Sequence, residues 1–403
     1  MNADLKEFAK QYQPSQPKTR KPFEGEKAAH HGARYSPCGN FMIAGGDEGQ
    51  VFRWCASGDL LQSLPPLTGH SAWVQAYTFA PKAKHFYTAD SWGRLRAWDY
   101  SAWPVGEVQV EQLPEEPSDP KKKPAKKVEP KRELVVAKET GPAPQPLWDH
   151  AAAHDGWIRA IAVHPEGKQI ATCGRDQFIR VWDATTGKKL HEFSAGEDIY
   201  VLQWHPQGKE LVSGNLKGII QQWDVTSGKS SRQFDASVLF TVNRLQDVGS
   251  VRTIAFDSAG TTLVAGGTKP VNGGNVQGTP LVLVFDWATG KKTNELTLGA
   301  TSDVFVCDLQ YDSRGFFIAG TSGNPGTGKL ILFRAADKEA FFVQAIGNCH
   351  AVAMHPAGNT LAASVFVSKG GNGRQKNADG SREYPGGYTP ISIFDLPSET
   401  QAS

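Results

Sequence analysis

A four-residue turn motif that recurs seven times constrains the fold of this sequence more than any other feature. His164-Pro165-Glu166-Gly167 and His205-Pro206-Gln207-Gly208 show the pattern, and six of the seven copies end in glycine. The other copies begin at Ser36, Ala80, Asp257, Asp312 and His355. Proline fixes φ at the second position of a type I turn, and glycine accepts the left-handed conformation that joins two twisted antiparallel strands. Each copy predicts a β-hairpin, so the chain is predicted to contain seven repeats.

An aromatic residue followed by a polar residue lies downstream of every turn. The aromatic positions are Trp54, Trp98, Trp182, Trp223, Phe285, Phe333 and Phe394. The offset from the end of the turn to the aromatic residue is 15 residues in the first four repeats and 25, 18 and 36 in the last three. Between the turns, apolar residues alternate or cluster over strand lengths without a sustained helical period. We expect an all-β fold with very little helix and with insertions in the last three repeats.

Two pairs of dipeptides carry a family resemblance. Gly69-His70 followed by Trp98-Asp99, and His154 followed by Trp182-Asp183, resemble the GH and WD dipeptides of the WD40-repeat (WD-repeat) β-propeller family. The resemblance extends over roughly residues 15–396 and implies a seven-bladed WD40 β-propeller.

The same resemblance implies a buried hydrogen-bond network in each blade. In that family the network joins a histidine, a serine or threonine, an aspartate and the tryptophan. The third repeat supplies all four as His154, Thr172, Asp176 and Trp182. At the aspartate position, repeats one, two and four have Glu48, Trp92 and Lys217, and the last three repeats replace the tryptophan by phenylalanine. We therefore expect blades of unequal stability, because a buried partner left unsatisfied costs about 1 to 3 kcal/mol.

The two ends of the chain are predicted to close the ring. The last repeat reaches its third strand at residues 391–394 and then ends in the polar tail 397–403, with no fourth strand. The segment around residues 13–23 is spare and can supply that strand, which removes exposed sheet edges. The predicted organisation is an N-terminal closing segment (1–25), a propeller (26–396) and a C-terminal tail (397–403).

Long loops are predicted on one face of the disc. The extra residues of repeats five, six and seven fall between the second and third strands, at 268–280, 322–329 and 368–390, so the three loops emerge on neighbouring blades. They are rich in Gly, Asn and Pro, and long loops on a rigid scaffold are often functional. Alternatively, they are tolerated surface insertions, because loop-closure entropy grows slowly with length.

The mouth of the central channel is the predicted binding site on that face. The residue before each inner strand should ring the mouth, at Ala29, Trp73, Trp157, Asp198, Ser250, Phe305 and Asn348. Two residues further on, Arg159, Tyr200, Arg252 and His350 should point into the channel. In WD-repeat propellers the corresponding ring commonly holds peptides, and aromatic residues and arginine dominate binding hot spots. The predicted partner contacts are Trp73, Trp157, Arg159, Asp198, Tyr200, Arg252 and Phe305; alternatively, Trp73 and Trp157 only pack under adjacent loops.

A charged insertion is predicted on the opposite face. It occupies about residues 104–145, between the third and fourth strands of repeat two, and contains no turn motif. The acidic segment 111–119 precedes the lysine-rich segment 121–132, which carries six net positive charges. This composition predicts a flexible arm. Such an arm can bind an acidic partner or a nucleic-acid backbone in a salt-sensitive way, or it is a solvated polyampholyte with no partner.

The overall composition excludes several classes of protein. A formal charge of +2 is too small for global attraction to nucleic acid or to an anionic membrane. The five cysteines include no C-x-x-C pair, which argues against a disulfide framework or a zinc site. No apolar run has the length of a signal peptide or a membrane span, so we expect a cytoplasmic protein without membrane contact.

No enzyme motif is complete. Residues 323–330 nearly spell a phosphate-binding loop, but Leu330 replaces the Ser or Thr and a hairpin replaces the strand-to-helix context. His30 and His31 are neighbours on one strand and should point to opposite faces, which argues against a shared metal ion. The sequence predicts a non-enzymatic, monomeric protein-protein interaction scaffold with no cofactor and no metal ion. The alternative is a nucleic-acid or chromatin-associated module acting through residues 121–132, and a propeller enzyme would need an active site that no motif indicates.

Overall fold

Seven antiparallel sheets arranged around a ring make up the structure. The computed structural model describes residues 18–19, 29–57, 61–105, 144–243, 245–271, 277–323, 326–368, 375–376, 382–383 and 387–396. These residues form 33 strands and one three-residue 3-10 helix, Ser237–Leu239, and include no α-helix. The predicted seven-bladed β-propeller is confirmed, with a four-stranded path in every blade.

Each of the first four blades runs from an inner to an outer strand. A two-residue strand, β1 (Lys18–Thr19), precedes them. The strands are β2 (His30–Tyr35), β3 (Phe41–Gly46), β4 (Val51–Cys55) and β5 (Gln62–Leu67) in blade one; β6 (Val74–Phe79), β7 (His85–Asp90), β8 (Leu95–Asp99) and β9 (Pro146–His150) in blade two; β10 (Ile158–Val163), β11 (Gln169–Gly174), β12 (Phe178–Asp183) and β13 (Lys189–Ser194) in blade three; and β14 (Ile199–Trp204), β15 (Leu211–Asn215), β16 (Ile219–Asp224) and β17 (Lys229–Asp235) in blade four.

The last three blades follow an additional hairpin. This hairpin consists of β18 (Phe240–Asn243) and β19 (Gln246–Gly249) and joins blade four to blade five. The remaining strands are β20 (Val251–Phe256), β21 (Thr262–Val271), β22 (Gln277–Asp286) and β23 (Lys292–Thr297) in blade five; β24 (Phe305–Asp312), β25 (Phe316–Ser322), β26 (Lys329–Phe333) and β27 (Phe342–Ala345) in blade six; β28 (Asn348–Met354) and β29 (Thr360–Ser368) in blade seven; the short strands β30 (Gln375–Lys376), β31 (Arg382–Glu383) and β32 (Gly387–Tyr388); and β33 (Ile391–Asp395), which completes blade seven.

The ring closes through both the outer and the inner strands. At the outer edge, β1 pairs antiparallel with β33, with Lys18 opposite Ile393 and Thr19 opposite Ser392. The predicted closing strand therefore lies within the predicted segment. At the centre, each inner strand packs against the inner strand of the next blade, and β28 of blade seven packs against β2 of blade one. The seven inner strands thus form a complete cycle.

The core consists of apolar layers between adjacent blades. Seven buried clusters occupy the seven interfaces among the described residues. In the layer between blades two and three, Ala89 and Leu95 meet Ile158 and Trp182. Burial of a large apolar side chain contributes about 1.5 to 3 kcal/mol, so adjacent blades stabilise one another.

The recurring turns have the predicted geometry and also connect blades. Gly39 lies in the left-handed region at φ 76°, and a side chain there would collide with His355 of blade seven. The His164 ring nitrogen Nε2 is 2.9 Å from the carbonyl oxygen of Gly208 in the next blade. His205 and His355 make the same contact with Gly260 and Gly39. The turn histidines therefore hold successive blades together on this face.

The long connections partly differ from the predicted loops. In blade five, most of the predicted loop 268–280 is strand, because β21 and β22 stay paired out to Val271 and Gln277. The connection of blade six runs from Ser322 to Lys329, as predicted. In blade seven, β32 pairs with the end of β29, while residues 369–374, 377–381 and 384–386 lie outside the described residues, as do 106–143 of the charged insertion between β8 and β9.

The buried network of blade three matches the resemblance. His154 Nδ1 is 3.0 Å from an oxygen of Asp176, and His154 Nε2 is 2.7 Å from the hydroxyl of Thr172. Trp182 donates its indole N–H to the same hydroxyl at 2.9 Å. Burial keeps the pKa of His154 below its usual value despite the neighbouring carboxylate, so the ring is neutral near pH 7.

Blade two also has a complete network, so the assignment of Trp92 to its aspartate position was wrong. Asp90, two residues earlier, supplies the carboxylate and lies 3.0 Å from His70 Nδ1. The Thr88 hydroxyl lies 2.7 Å from His70 Nε2 and accepts the indole N–H of Trp98 at 2.8 Å, which completes the network. In blade four, Asn215 occupies the position of Asp90, and its side-chain oxygen accepts the backbone N–H of Ile219 at 2.8 Å. The last residue of the second strand can thus replace the missing aspartate.

Deletion of residues 1–25 is predicted to lower the melting temperature by several degrees, because it removes β1 and exposes the edge of β33. Deletion of residues 1–12 is the control, since it shortens the terminus but keeps β1. Differential scanning calorimetry of both proteins measures the effect, and equal melting temperatures for the long deletion and the intact chain would contradict the closure.

Asp90→Ala is predicted to destabilise the protein by about 1 to 3 kcal/mol, because it leaves a buried ring nitrogen of His70 without its partner. The matched control is Trp92→Ala, which removes a side chain that is 70% exposed and should change stability by less than about 0.5 kcal/mol. Urea unfolding of both variants compares them. A larger loss for Trp92→Ala than for Asp90→Ala would restore the assignment based on family spacing.

Candidate functional site

A β-bulge in every inner strand determines which side chains reach the central channel. In blade three, Ile158 pairs with Gly174 and Ala160 pairs with Cys173, which leaves Arg159 without a partner in the ladder. The same irregularity recurs in the other six blades, and such bulges re-aim a side chain. The bulged residues are Gly32, Gln75, Arg159, Tyr200, Arg252, Cys307 and His350, and all seven line the channel.

The channel is a cavity of about 1000 Å³. Its lining includes the predicted residues Arg159, Tyr200, Arg252 and His350. The bulged residue of blade one is Gly32, whose φ of 80° places it in the left-handed region, and a side chain there would collide with the Tyr77 hydroxyl. This hydroxyl donates to the carbonyl oxygen of His31 at 2.5 Å. At blade one, the Tyr77 hydroxyl thus occupies the space that a bulge side chain would fill.

Aromatic rings and guanidinium groups form an arc at the channel mouth. The indole rings of Trp73 and Trp157 meet edge to face at 6.2 Å. The guanidinium of Arg159 lies 4.8 Å from the Trp157 ring and 4.1 Å from the Tyr200 ring. The structure thus brings these predicted residues together across blades two, three and four. We call these four residues, together with Arg252 and Phe305, the mouth arc.

The mouth arc continues into blades five and six. The guanidinium of Arg252 lies 3.8 Å from the centre of the Phe305 ring. Trp73 is 47% exposed, and Trp157 and Phe305 are half-buried. Among the described residues, the indole N–H of Trp157 has no hydrogen-bond partner. Apolar surface and an unused donor are therefore both present at the mouth.

Asp198 fixes the position of Arg159. Nε and Nη2 of Arg159 donate to the two carboxylate oxygens of Asp198 at 2.9 and 2.8 Å. Burial opposes the charge of Arg159, but this carboxylate outweighs it and raises the pKa of Arg159 above its ordinary value. Asp198 was predicted to contact a partner; its observed contact is with a neighbouring side chain, which it orients.

The other predicted ring positions differ among themselves. Ser250 is fully buried directly after the β18–β19 hairpin, so its predicted place at the rim was wrong. Asn348 accepts hydrogen bonds from the Ser322 hydroxyl and the Gly323 backbone, both at 3.2 Å, and so holds the blade-six connection. Ala29 is half-buried and brings no polar group.

Sequence reasoning missed two exposed apolar features of the loop-rich face. Trp92 is 70% exposed in the β7–β8 turn, and an aromatic residue at a position where the family has aspartate was the available signal. The β18–β19 hairpin exposes Val242 and Leu245, the latter at 99%. Its alternating Phe240-Thr241-Val242-Asn243 run before a turn was the signal for an additional hairpin.

The sequence that resembles a phosphate-binding loop has another role. It connects two antiparallel strands of blade six, and Lys329 Nζ lies 2.7 Å from a carboxylate oxygen of Asp303. The Thr327 hydroxyl donates to the Ser302 carbonyl at 2.6 Å. Within the part of the chain that the structure describes, no group of three or more His, Cys, Asp or Glu side chains is arranged to hold a metal ion.

Comparison with known proteins agrees with the blade architecture. The family model described as "WD domain, G-beta repeat" matches residues 149–183 and 187–224, which contain most of blades three and four. Blades three and four are therefore WD repeats, and they stand in a seven-bladed β-propeller. The matched region of this WD-repeat propeller includes the His154 network, which follows the family pattern most closely.

Individual relatives match over short segments. The small ribosomal subunit protein RACK1 of Glycine max is 39% identical over 51 residues, which is 13% of this chain and 16% of that protein. The ribosome biogenesis protein erb1 of Botryotinia fuckeliana is 40% identical over 53 residues, or 13% of this chain and 7% of that protein. The nuclear distribution protein nudF of Aspergillus terreus is 28% identical over 152 residues, or 38% of this chain and 29% of that protein. The chain thus spans less than a third of the length of each of these relatives.

No described helix of this WD-repeat propeller has the length and apolarity needed to cross a membrane.

Stability is predicted to fall as the pH drops below about 6.5, because burial lowers the pKa of His30 and His350 to about 4 in the folded protein. The nearby His31 and Arg252 lower the pKa of His350 further. The unfolded chain binds protons at an ordinary histidine pKa of about 6.5, whereas the folded chain does not until about pH 4. This contribution is complete above the unfolded pKa and is lost as the pH falls toward the folded pKa.

Melting temperatures measured between about pH 8 and pH 4 test this dependence. His350→Gln should flatten the decline, whereas the control His191→Gln, on the outer strand β13, leaves the channel untouched. An unchanged slope in His350→Gln would contradict the assignment.

Proposed function

We propose that this WD-repeat propeller is a non-enzymatic scaffold that binds a peptide segment of a partner protein across the channel mouth. The observation that carries the proposal is the mouth arc, in which Trp73, Trp157 and Arg159 form one contiguous surface beside the channel. Tyr200 extends that surface toward the cavity. Such residues provide large contact areas and retain polar groups for orientation.

The rigidity of the mouth arc supports binding. The Trp73 ring contacts Trp157, and Arg159 is fixed by Asp198 on one side and by two aromatic rings on the other. Side chains that are ordered before binding lose little conformational entropy when a ligand arrives. A peptide therefore meets a preformed surface.

The chemistry of the channel lining favours binding over catalysis. Cys307 is the one thiol in that lining, and burial raises its pKa above the ordinary value. It therefore stays protonated near pH 7 and is a poor nucleophile. His350 is held neutral by burial, and its described ring contacts are with His31 and Phe366.

The relatives' names supply a setting for the proposal. They refer to a ribosomal subunit, to ribosome biogenesis and to nuclear distribution, which is consistent with work inside macromolecular assemblies. We propose the cytoplasm as the location and a monomer as the state of the isolated chain.

Random peptides displayed on phage and selected on the intact protein provide ligands for the test. Affinities of the selected peptides are then measured by fluorescence anisotropy. Trp73→Ala should weaken binding by about 30-fold, the cost of losing a hot-spot tryptophan. Leu147→Ala is the matched control, since Leu147 is similarly exposed, at 46%, but lies on the outer strand β9. Equal affinities of the peptides for Trp73→Ala and the intact protein would refute the mouth as the binding surface.

A second variant tests the alternative that residues 121–132 bind nucleic acid. Residues 104–145 are replaced by a short Gly-Ser linker, and binding of duplex DNA and single-stranded RNA is measured against salt concentration. Under our proposal, the deletion leaves peptide binding intact. Nucleic-acid binding that is lost with the deletion and weakens steeply with salt, together with no peptide binding at the mouth, would assign the function to the basic segment.

A further inference from the structure

Arg252 is the channel arginine whose charge has no compensating carboxylate among the described residues. It occupies the bulge of β20 and lines the cavity. Its Nε is buried and has no hydrogen-bond partner in the described part of the chain. A buried guanidinium without a partner costs folding free energy. A ligand that supplied the missing acceptor would recover that free energy on binding.

The other two arginines of the lining are both neutralised. Arg34 donates to the two oxygens of Asp308 at 2.7 and 3.0 Å, and Arg159 is paired with Asp198. The second carboxylate of the lining, Asp257, accepts hydrogen bonds from Thr261 at 2.6 and 2.7 Å. His31 also belongs to the lining, and it pairs with Asp47, which does not. Arg252 is thus the arginine of the lining that has no carboxylate partner among the described residues.

The described contacts of Arg252 leave its Nε–H donor unpaired. One face of the guanidinium lies against Phe305, with 3.8 Å between the guanidinium carbon and the ring centre. Stacking occupies the face of the plane, whereas the N–H donors lie in the plane and point along its edge. Phe305 therefore holds the plane in place without consuming its hydrogen bonds.

We propose that Arg252 binds the carboxylate of an aspartate or glutamate side chain in the peptide that the mouth arc holds. A carboxylate matches the in-plane donors of a guanidinium and can accept two parallel hydrogen bonds. It would also give Arg252 the carboxylate partner that Arg34 and Arg159 already have. This inference names the chemistry of the ligand and rests on the proposed peptide-binding function.

The first test needs no peptide. Thermal unfolding is followed in sodium acetate and in sodium chloride at equal ionic strength, with acetate as the probe carboxylate. Acetate should raise the melting temperature of the intact protein relative to chloride and should not do so for Arg252→Gln. Arg232→Gln is the matched control, because Arg232 stacks on Phe234 and Trp287 at 4.7 and 4.6 Å on the outside of the propeller; it should keep the acetate effect.

The second test uses peptides selected on the intact protein, each synthesised with Glu, Gln or phosphoserine at its acidic position. Glu should bind the intact protein about 10-fold or more tightly than Gln, as expected for a desolvated charge-assisted hydrogen bond. The ratio of the Glu-peptide affinity to the Gln-peptide affinity should fall to about one in Arg252→Gln and stay unchanged in Arg232→Gln. The Glu-to-Gln comparison on the intact protein remains informative even if Arg252→Gln folds poorly.

The outcomes separate this inference from the proposed function. Peptides that depend on Trp73 but carry no acidic residue, and bind Arg252→Gln with unchanged affinity, would overturn the inference and leave the scaffold function in place. If peptides with phosphoserine bind more tightly than those with Glu, and this difference requires Arg252, the ligand group of Arg252 is a phosphate rather than a carboxylate. An acetate effect that depends on Arg252, without any peptide dependent on Trp73, would support the anion site and refute the mouth as a peptide surface. An equal acetate effect in intact protein and Arg252→Gln overturns the anion site.

Discussion

The packing of seven inner strands into a complete cycle is the constraint on which the rest of this structure depends. Each blade buries apolar side chains against its two neighbours, so blades one and seven each leave one face uncovered until β28 meets β2. Closure by β1 at the outer edge and the contact of His355 with Gly39 at the turn face reinforce that junction between the last and first blades. Stability therefore depends on the whole ring rather than on one blade. An individual blade can lack part of the buried hydrogen-bond network, and blade four lacks its aspartate.

The inner-strand bulges supply the side chains that differ among the blades and line the channel. A bulge inserts one residue whose side chain is free of both the ladder and the interblade core. The residue type at a bulge can therefore change from blade to blade without disturbing the ladder or the interblade core, and the seven bulged residues include both Gly32 and Arg252. In this chain blades three to five carry two arginines and a tyrosine. The two guanidinium groups at bulged positions therefore lie in blades three and five.

The sequence predicted the fold well because its signals are local. A turn such as His164–Gly167 requires a left-handed glycine, and that requirement is visible in four letters. The site residues of the inner strands were also accessible, since Arg159 and Tyr200 occupy equal positions in aligned repeats. The errors arose where structure departs from fixed spacing. Asp90 reaches His70 from a position two residues earlier than the family pattern, and Ser250, which directly follows the β18–β19 hairpin, is fully buried. Pairing between distant side chains, such as Arg34 with Asp308, has no signal in one sequence.

The two complete networks lie where the mouth arc needs a rigid backbone. His70 and His154 each precede a mouth tryptophan by three residues, in the connections that lead to β6 and β10. In both blades the aspartate also accepts the backbone N–H that follows the histidine, from Ser71 in blade two and Asp155 in blade three. The connection is thus fixed by its side chain and its main chain just before Trp73 or Trp157. The family resemblance implies that this network stabilises the blades. Here it also orders the aromatic surface, and an exposed indole can therefore be part of a preformed site.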